Sequence, residues 1–202
     1  MITYGQIKID GPINLKRIDY LKMKHQANEH AAAVVKGIAS IEESIPKIME
    51  SIKNQILLIK IDEGKEGTDK ILFAGYITDC RLKQNGDNYQ IKLKIMSASI
   101  LFDQEPICRS FQDTSLSYAN IAEQIATSIE RGHVICTEGE KKKPKRPVIQ
   151  YQETNWNFLK RMASAISTMV YPEIELTYPG VWYGMKDSNK GVKFEQASYE
   201  YG

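Results

Sequence analysis

The sequence predicts an α+β protein: a small antiparallel β-barrel with one short helix over residues 1–105, then an α+β domain with two helices over residues 106–202. Strand-like segments separated by turn residues fill the first part. From Glu105-Pro106 onward, N-cap residues and apolar side chains spaced three and four apart indicate helices. A chain of 202 residues is long enough for two domains, because roughly 100–150 residues is the usual domain size.

The first three strands are predicted at Ile2–Asp10, which alternates around Tyr4 and Ile7, and at Leu15–Lys24 and Ala31–Ala39, which are rich in apolar residues. Gly11-Pro12 and residues 27–29 separate them. Three strands are therefore predicted to precede the first helix along the chain.

The spacing of apolar residues changes between Ile41 and Ile52, where isoleucines and a methionine recur every three or four residues. This spacing predicts a short helix. Asn85-Gly86 suits a tight hairpin between the last two of the three strands that follow. These strands are predicted at Ile56–Ile61, Lys70–Lys83 and Tyr89–Ala98. Closure or partial closure into a barrel best protects the edges of so many strands.

The second half is predicted to begin with a helix that follows the N-cap residues 113–117, runs to Arg131 and stops at Gly132. A strand at His133–Thr137 and a polar segment at residues 138–147 come next. Val148–Tyr151 is predicted as a strand and leads into a second helix. The last strands are predicted at Val170–Thr177 and Val181–Tyr183.

Composition and charge exclude several classes of protein. Lys+Arg 27 against Asp+Glu 25 gives a net charge of +2, too small for a global field that gathers nucleic acid or anionic lipid. The longest apolar run, near residues 55–59, is far shorter than the ~20 residues of a membrane span.

No signal peptide is visible, so we expect synthesis in a bacterial cytoplasm. Cys80, Cys108 and Cys136 are expected to be reduced thiols, because their number and spacing fit neither a disulfide framework nor a zinc site.

Candidate catalytic residues are few, and the usual nucleotide, zinc and calcium motifs are absent. His25 and His30 could form a metal pair, but solvent-facing side chains near a turn are favoured. His133 and Cys136 lie three apart on one strand and should point to opposite faces. Glu173 and Glu175 are expected to lie on a solvated strand edge. The sequence therefore assigns no catalytic, cofactor-binding or metal-binding residue and predicts that the protein is not an enzyme.

The one concentrated charge is a run of five cations in six positions: Lys141, Lys142, Lys143, Lys145 and Arg146. A flexible, solvated loop is the favoured interpretation. Docking on an acidic partner comes second, which makes the run a candidate partner-binding loop. Nucleic acid is the least favoured partner, because no aromatic residues are interleaved to stack on bases.

The segment 148–163, Val-Ile-Gln-Tyr-Gln-Glu-Thr-Asn-Trp-Asn-Phe-Leu-Lys-Arg-Met-Ala, predicts a strand followed by a capped helix. Thr154 is the expected N-cap, and Trp156, Phe158 and Leu159 should bury the helix against the strand, with Tyr151 as their neighbour. These are packing roles and not catalytic ones.

This segment resembles the pattern Q-Y-x-E-[ST]-[DN]-[WF]-x-F-[LI]-x-R of baseplate hub proteins from contractile injection machines. That family includes phage baseplate hubs, late-control gene D proteins and the amino-terminal part of VgrG spikes. Residues 109–115 and the helix after them resemble its second segment. The resemblance implies a structural hub component of a phage tail, tailocin, prophage particle or secretion device.

Such hubs are typically trimers in which two barrels per subunit form a pseudo-sixfold ring between the tail tube and the spike. The resemblance thus implies tube and spike subunits as partners, no cofactor and a final location in a virion or tail-like particle. A chain of 202 residues has room for the first barrel and the start of the intervening domain, but not obviously for the second barrel and not for the spike, so we expect the first part of a longer hub or a pared-down relative. Alone, such a chain could be a monomer or a dimer. The alternative is a small peptidoglycan hydrolase associated with such a machine.

Overall fold

The computed structural model describes residues 7–39, 56–61, 69–85 and 88–185. The start of the first predicted strand, the predicted helix between Ile41 and Ile52, and the Gly86 position of the hairpin turn lie outside these residues. Six strands come first and the helices follow in the second half of the chain among short strands, which confirms the predicted α+β class. No helix in the described ranges combines the length and the apolar character that a membrane crossing requires.

Six strands form one antiparallel sheet in the order β1-β4-β5-β6-β3-β2. Their bounds are Ile7–Asp10 (β1), Leu15–Lys24 (β2), Ala32–Ala39 (β3), Ile56–Ile61 (β4), Lys70–Asn85 (β5) and Asn88–Met96 (β6). Each lies within about two residues of its predicted position wherever the structure describes the chain.

The sheet curls into a nearly closed barrel. Its two outer strands, β1 and β2, are consecutive in the chain and are joined by residues 11–14 alone. This short connection keeps the two ends of the sheet near each other. Side chains alternate between the faces, and the inward row forms a buried core that includes Val35, Ile59, Phe73 and Leu93.

Strand β5 is long enough to pair with two neighbours. Its first half, up to Tyr76, pairs with β4, and its second half, from Tyr76 onward, pairs with β6. Gly75 lies at this change of partner, where a Cβ atom would stand 2.4 Å from the carbonyl oxygen of Met96. Only glycine allows this close approach of two strands.

The first four elements after the barrel are a 3₁₀-helix (Ala98–Asp103), β7 (Ile107–Phe111), helix α1 (Tyr118–Thr127) and β8 (His133–Cys136). The 3₁₀-helix and β7 were not among the predicted elements. The side chain of Ser117 caps α1 by accepting from the backbone N–H of Asn120, and the Asn120 side chain returns the bond.

Helix α1 ends at Thr127, so the prediction that it runs to Arg131 is wrong. The backbone N–H groups of Ser128, Ile129 and Gly132 each bond to a carbonyl three residues back, which tightens the chain into successive turns. Arg131 then adopts a left-handed conformation with φ of 57°.

The remaining elements are β9 (Val148–Glu153), helix α2 (Asn155–Ala165), β10 (Val170–Pro172) and β11 (Gly180–Tyr183). Strand β9 pairs with β7, and β11 lies between β10 and β8. The last long strand, predicted to reach Thr177, ends at Pro172 because the Glu173 carboxylate accepts the backbone N–H groups of Ile174 and Glu175 and turns the chain.

Two buried clusters lie side by side, one inside the barrel and one around α1 and α2. The chain after β10 returns to the barrel, where Ala74 donates its backbone N–H to the Ile174 carbonyl at 2.6 Å. The Ile174 side chain packs against the barrel core. Asn28, between β2 and β3, exchanges backbone and side-chain hydrogen bonds with Val170. These contacts join the two clusters.

Candidate functional site

The strand–helix segment 148–163 begins α2 with a threonine cap. Thr154 accepts the backbone N–H of Asn157 at 3.2 Å, as an N-cap side chain does. Its hydroxyl also donates to the carboxylate of Asp103, at the end of the 3₁₀-helix. The cap of α2 is therefore tied to the segment that leaves the barrel.

Two polar side chains inside this segment, those of Gln150 and Arg161, hold the strand and the helix together. Gln150 is fully buried and donates its amide to the Glu153 carbonyl at 3.0 Å and to the Asn155 side chain at 3.1 Å. Arg161 forms an ion pair with Glu153 and donates to the Ile149 carbonyl at 2.7 Å. Because the pair closes the turn between β9 and α2, it gives the glutamate and the arginine of the motif a physical role. The sequence analysis assigned neither residue a role.

The three apolar motif residues are buried: Trp156 is 2% exposed, and Phe158 and Leu159 are 0% exposed. Phe158 stacks on Phe111 of β7 with ring centroids 5.6 Å apart. The expected packing of Tyr151 is wrong, because this side chain is 70% exposed. The alternation of β9 explains the difference, since Gln150 takes the inward position and Tyr151 therefore points outward.

Trp156 contacts a histidine of the barrel. The His30 ring lies 4.2 Å from the Trp156 ring, centroid to centroid, at an interplanar angle of 32°. His30 Nδ1 lies 2.8 Å from the Ser99 hydroxyl, and Nε2 lies 3.3 Å from the Asp103 carboxylate. The expectation of a solvent-facing His30 is therefore wrong. Burial lowers the pKa of His30 more than the bond to Asp103 raises it, so the neutral ring is favoured.

Ser99, His30 and Asp103 are the residue types of a hydrolase triad, and their contacts run in the same order. Ser99, however, is 0% exposed, and its hydroxyl contacts the Ser97 hydroxyl at 2.8 Å. A serine nucleophile has to reach a substrate carbonyl, and no path to Ser99 is open. The chain of contacts instead connects the barrel to the cap of α2 through Asp103.

The other two histidines contact backbone carbonyls. His25 donates from Nε2 to the Pro172 carbonyl at 3.0 Å, and His133 contacts the Pro179 carbonyl through Nδ1 at 2.9 Å. Across the four described ranges, no group of three potential ligands could hold a metal ion. The Cys136 thiol lies within the cluster around α1, and burial raises its pKa to about 12, which makes it a poor nucleophile.

Glu173 is buried, with 6% exposure, so the expectation of a solvated edge is wrong for this residue. Besides the two backbone groups that it accepts, its carboxylate accepts the indole N–H of Trp182 at 2.6 Å. Glu173 therefore stabilises the turn between β10 and β11. Glu175 is exposed, as a solvated position requires.

The basic run 141–146 is anchored to the rest of the domain. The Lys142 carbonyl accepts the Tyr118 backbone N–H at 3.0 Å, and the Lys142 ammonium donates to the Ile166 carbonyl at 3.0 Å. Pro144 is buried. The side chains of Lys141, Lys143, Lys145 and Arg146 are exposed and make no ion pair within the described part of the chain. The loop thus presents four cations from a backbone held by hydrogen bonds.

A cleft of about 670 Å³ lies between the barrel and the second half of the chain. Its lining includes Arg109, Arg131, Tyr178, Glu105 and Glu130. Arg131 covers the Tyr178 ring at 5.0 Å, and Arg109 makes long contacts of 3.4 Å to the Ser128 hydroxyl. Both glutamates are exposed, whereas a carboxylate that acts as a general acid needs a raised pKa from a desolvated site. The cleft therefore lacks a built acid–base pair.

Comparison with solved structures identifies similar folds in tail proteins. One is the E. coli protein c3393, which is described as a component of the type VI secretion system with structural similarity to the T4 bacteriophage tail proteins gp27 and gp5. Its TM-score is 0.61 at 14% sequence identity, and the match covers 88% of this chain and 48% of c3393. The 43 kDa tail protein of prophage MuSo2 from Shewanella oneidensis gives 0.64 at 13% identity, over 88% of this chain and 52% of that one. A tail protein from Neisseria meningitidis MC58 gives a TM-score of 0.56 at 12% identity, over 88% of this chain and 50% of that one.

The chain spans about half the length of these tail proteins. No protein with curated function matches it in sequence. The model of one family, the phage tail baseplate hub (GPD), matches residues 51–168, which include β4 to β9 and the whole strand–helix segment. Because this match spans more than half of the chain, the protein belongs to the phage tail baseplate hub family.

Proposed function

We propose that this protein is a structural, non-enzymatic component of the baseplate hub of a phage tail or a related contractile injection machine, where it links the tail tube to the spike. The family match over residues 51–168 carries this proposal. The barrel and the strand–helix segment of the protein form its framework, and its exposed edges and loops supply contact surfaces. We expect a trimer in the assembled particle and a monomer or dimer for the isolated chain.

Strand β2 is the first contact surface. It has ten residues, bonds to β3 on one side and has no strand on its other side within the described residues. An edge of this length offers backbone N–H and C=O groups to a strand of another subunit. Tyr20 and Met23, exposed by 38% and 42%, add apolar area at this edge.

The anchored basic loop is the second contact surface. Four exposed cations on a backbone held by hydrogen bonds can dock on an acidic partner with little further loss of backbone freedom. Charge of this kind accelerates encounter and selects the partner, while apolar contacts supply most of the affinity. We therefore assign Lys141, Lys143, Lys145 and Arg146 to partner binding.

The site chemistry supports a role without catalysis. Ser99, the candidate nucleophile of the Ser99–His30–Asp103 contacts, is fully buried, and the glutamates of the cleft are exposed. The polar groups described above, among them Thr154, Arg161 and Glu173, hold strands, turns and helices together.

Reconstitution with tube and spike subunits of the same particle tests the proposal. We expect the full chain to co-elute with them from a sizing column. Met23→Asp, on the edge strand, should weaken the complex, and so should the replacement of the four loop cations by glutamine. Cys108→Ser is the matched control, because Cys108 is exposed on β7, away from both surfaces. A wild-type chain that elutes alone would overturn the proposed function.

A further inference from the structure

Three cations stand side by side on the outer face of the barrel. Arg81 on β5 lies directly opposite Lys92 on β6, and Lys92 lies directly opposite Lys36 on β3. We refer to these three residues as the cationic row. All three belong to the outward set of their strands, because the residues before and after Lys36 and Lys92 point into the core.

Like charges directly opposite each other on neighbouring strands destabilise a sheet, because their Cβ atoms are only about 4.5–5.5 Å apart. The outer members of the cationic row have partial relief. Arg81 lies 3.3 Å from the Asp79 carboxylate, and the Lys36 ammonium lies over the Tyr20 ring at 4.9 Å. Lys92, in the centre, has no carboxylate partner within the described residues and is only partly exposed.

The same barrel shows how such repulsion is relieved elsewhere. Lys8 and Lys60 also lie directly opposite each other, on β1 and β4. Each of them pairs with its own carboxylate, Lys8 with Asp69 at 3.2 Å and Lys60 with Asp10. The cationic row therefore lacks a compensation that the fold provides at a comparable position.

The surroundings of the cationic row increase its positive charge. The row borders a depression of about 350 Å³ that is also lined by Lys83 and Gln90. The only carboxylate in this lining, Asp19, already pairs with Arg17 at 2.6 Å. A ligand that enters the depression meets four cationic side chains and one acid that is already engaged.

We propose that the cationic row binds carboxylate side chains on the surface of an adjoining protein subunit, which supply the missing compensation. This inference rests on the proposed function, because it specifies the chemistry of one partner surface. A protein partner fits better than nucleic acid. The one aromatic ring in line with the row, Tyr20, is covered by Lys36, so it is not free to stack on a base.

Stability measurements test the first half of this claim, which is that Lys92 is repelled in the free protein. We expect Lys92→Gln to raise the melting temperature of the full chain at low ionic strength, and the gain to disappear in high salt. Lys60→Gln is the matched control, because Lys60 faces a lysine but keeps an aspartate partner; it should not raise the melting temperature. A lower melting temperature for Lys92→Gln at low ionic strength would contradict the claim.

Binding measurements test the second half. Fluorescence anisotropy with a labelled oligoglutamate peptide should give at least about a tenfold weaker Kd for the variant in which Lys36, Arg81 and Lys92 are all glutamine. The control is a variant with glutamine in place of the four cations of the basic loop. It should keep more of the affinity for the peptide than the variant of the cationic row does. Unchanged peptide affinity in the first variant overturns the proposal.

A short DNA duplex and inorganic phosphate serve as competing probes. If the duplex binds through the cationic row and the peptide does not, the surface is a nucleic-acid site and the proposal is wrong. If inorganic phosphate displaces the peptide at equal concentration of charge, the row is a small-anion site, which also overturns it. These outcomes are separate from reconstitution with tube and spike subunits, so a failure here leaves the proposed function standing.

Discussion

The ammonium group of Lys142 donates a hydrogen bond to the carbonyl oxygen of Ile166 at 3.0 Å, just beyond the end of α2. The carbonyl of the same lysine accepts the first backbone N–H of α1. Unpaired carbonyls at a helix C-terminus and unpaired N–H groups at a helix N-terminus both need partners. One residue of the basic loop therefore completes the ends of two helices.

We predict that Lys142→Met lowers the free energy of unfolding by about 0.5–1 kcal/mol, because it removes the bond to the Ile166 carbonyl and leaves the backbone contact in place. Lys141→Met is the control and should have no measurable effect, since Lys141 is exposed and makes no hydrogen bond or ion pair within the described residues. Urea unfolding of both variants checks the prediction. Equal losses in the two variants would contradict it.

The pH dependence of stability should reflect His30. Its pKa in the folded protein lies below the ordinary value of 6.5, so the folded state binds fewer protons than the unfolded state as the pH falls. The contribution of His30 to the free energy of unfolding is fully present above pH 6.5. It is lost as the pH drops from 6.5 through the pKa of His30 in the folded protein. Asp103 favours the charged ring and Lys160 opposes it.

The variant His30→Gln isolates this effect. Glutamine keeps a polar group at the junction but does not titrate, so the melting temperature should fall less between about pH 7 and about pH 5 than it does for the wild type. His25→Gln serves as the control for a histidine on the exposed side of the junction. The same pH profile for wild type and His30→Gln would show that another group is responsible.

Trp156 and Tyr151 are expected to differ sharply in their effect on stability, although both belong to the family motif. Trp156→Ala should cost about 3–5 kcal/mol of unfolding free energy, because it opens a cavity and removes the stacking partner of His30. Tyr151→Ala should change it by less than about 0.5 kcal/mol, because the ring is exposed. A large loss on Tyr151→Ala would mean that a further contact covers this residue.

The cleft carboxylates provide a test against the hydrolase alternative. We predict that the wild-type protein releases no fragments from peptidoglycan above background, because neither Glu105 nor Glu130 lies in a desolvated site. Glu105→Gln with Glu130→Gln should then leave both this background and the reconstitution with tube and spike subunits unchanged. Turnover by the wild type that disappears in the double variant would identify an enzyme.

Local patterns in the sequence predicted most of the barrel and the strand and capped helix of the segment 148–163. Runs of apolar and β-branched residues bounded by turn residues predicted Leu15–Lys24 and Ile56–Ile61 with their observed bounds. Thr154 was predicted as a cap because capping depends on residues three apart. Short-range rules suffice where the partners are close in sequence.

Contacts between distant residues explain what the sequence did not predict. The stacking of His30 on Trp156 joins residues 126 positions apart, and no local pattern indicates it. Glu173 also resembles a solvated glutamate until the fold brings Trp182 to its carboxylate. The roles of Glu153 and Arg161 were accessible in principle, since both lie in the motif, but their pairing depends on the turn between β9 and α2.

Ile174 packs against the interior of the barrel although it belongs to the last third of the chain. Its backbone carbonyl is also bonded to Ala74. A polypeptide that stopped after the sixth strand would lack this apolar contact and would leave an inner strand short of one hydrogen bond. The two halves should therefore lose their structure in a single cooperative transition, and neither half is expected to be an autonomous folding unit.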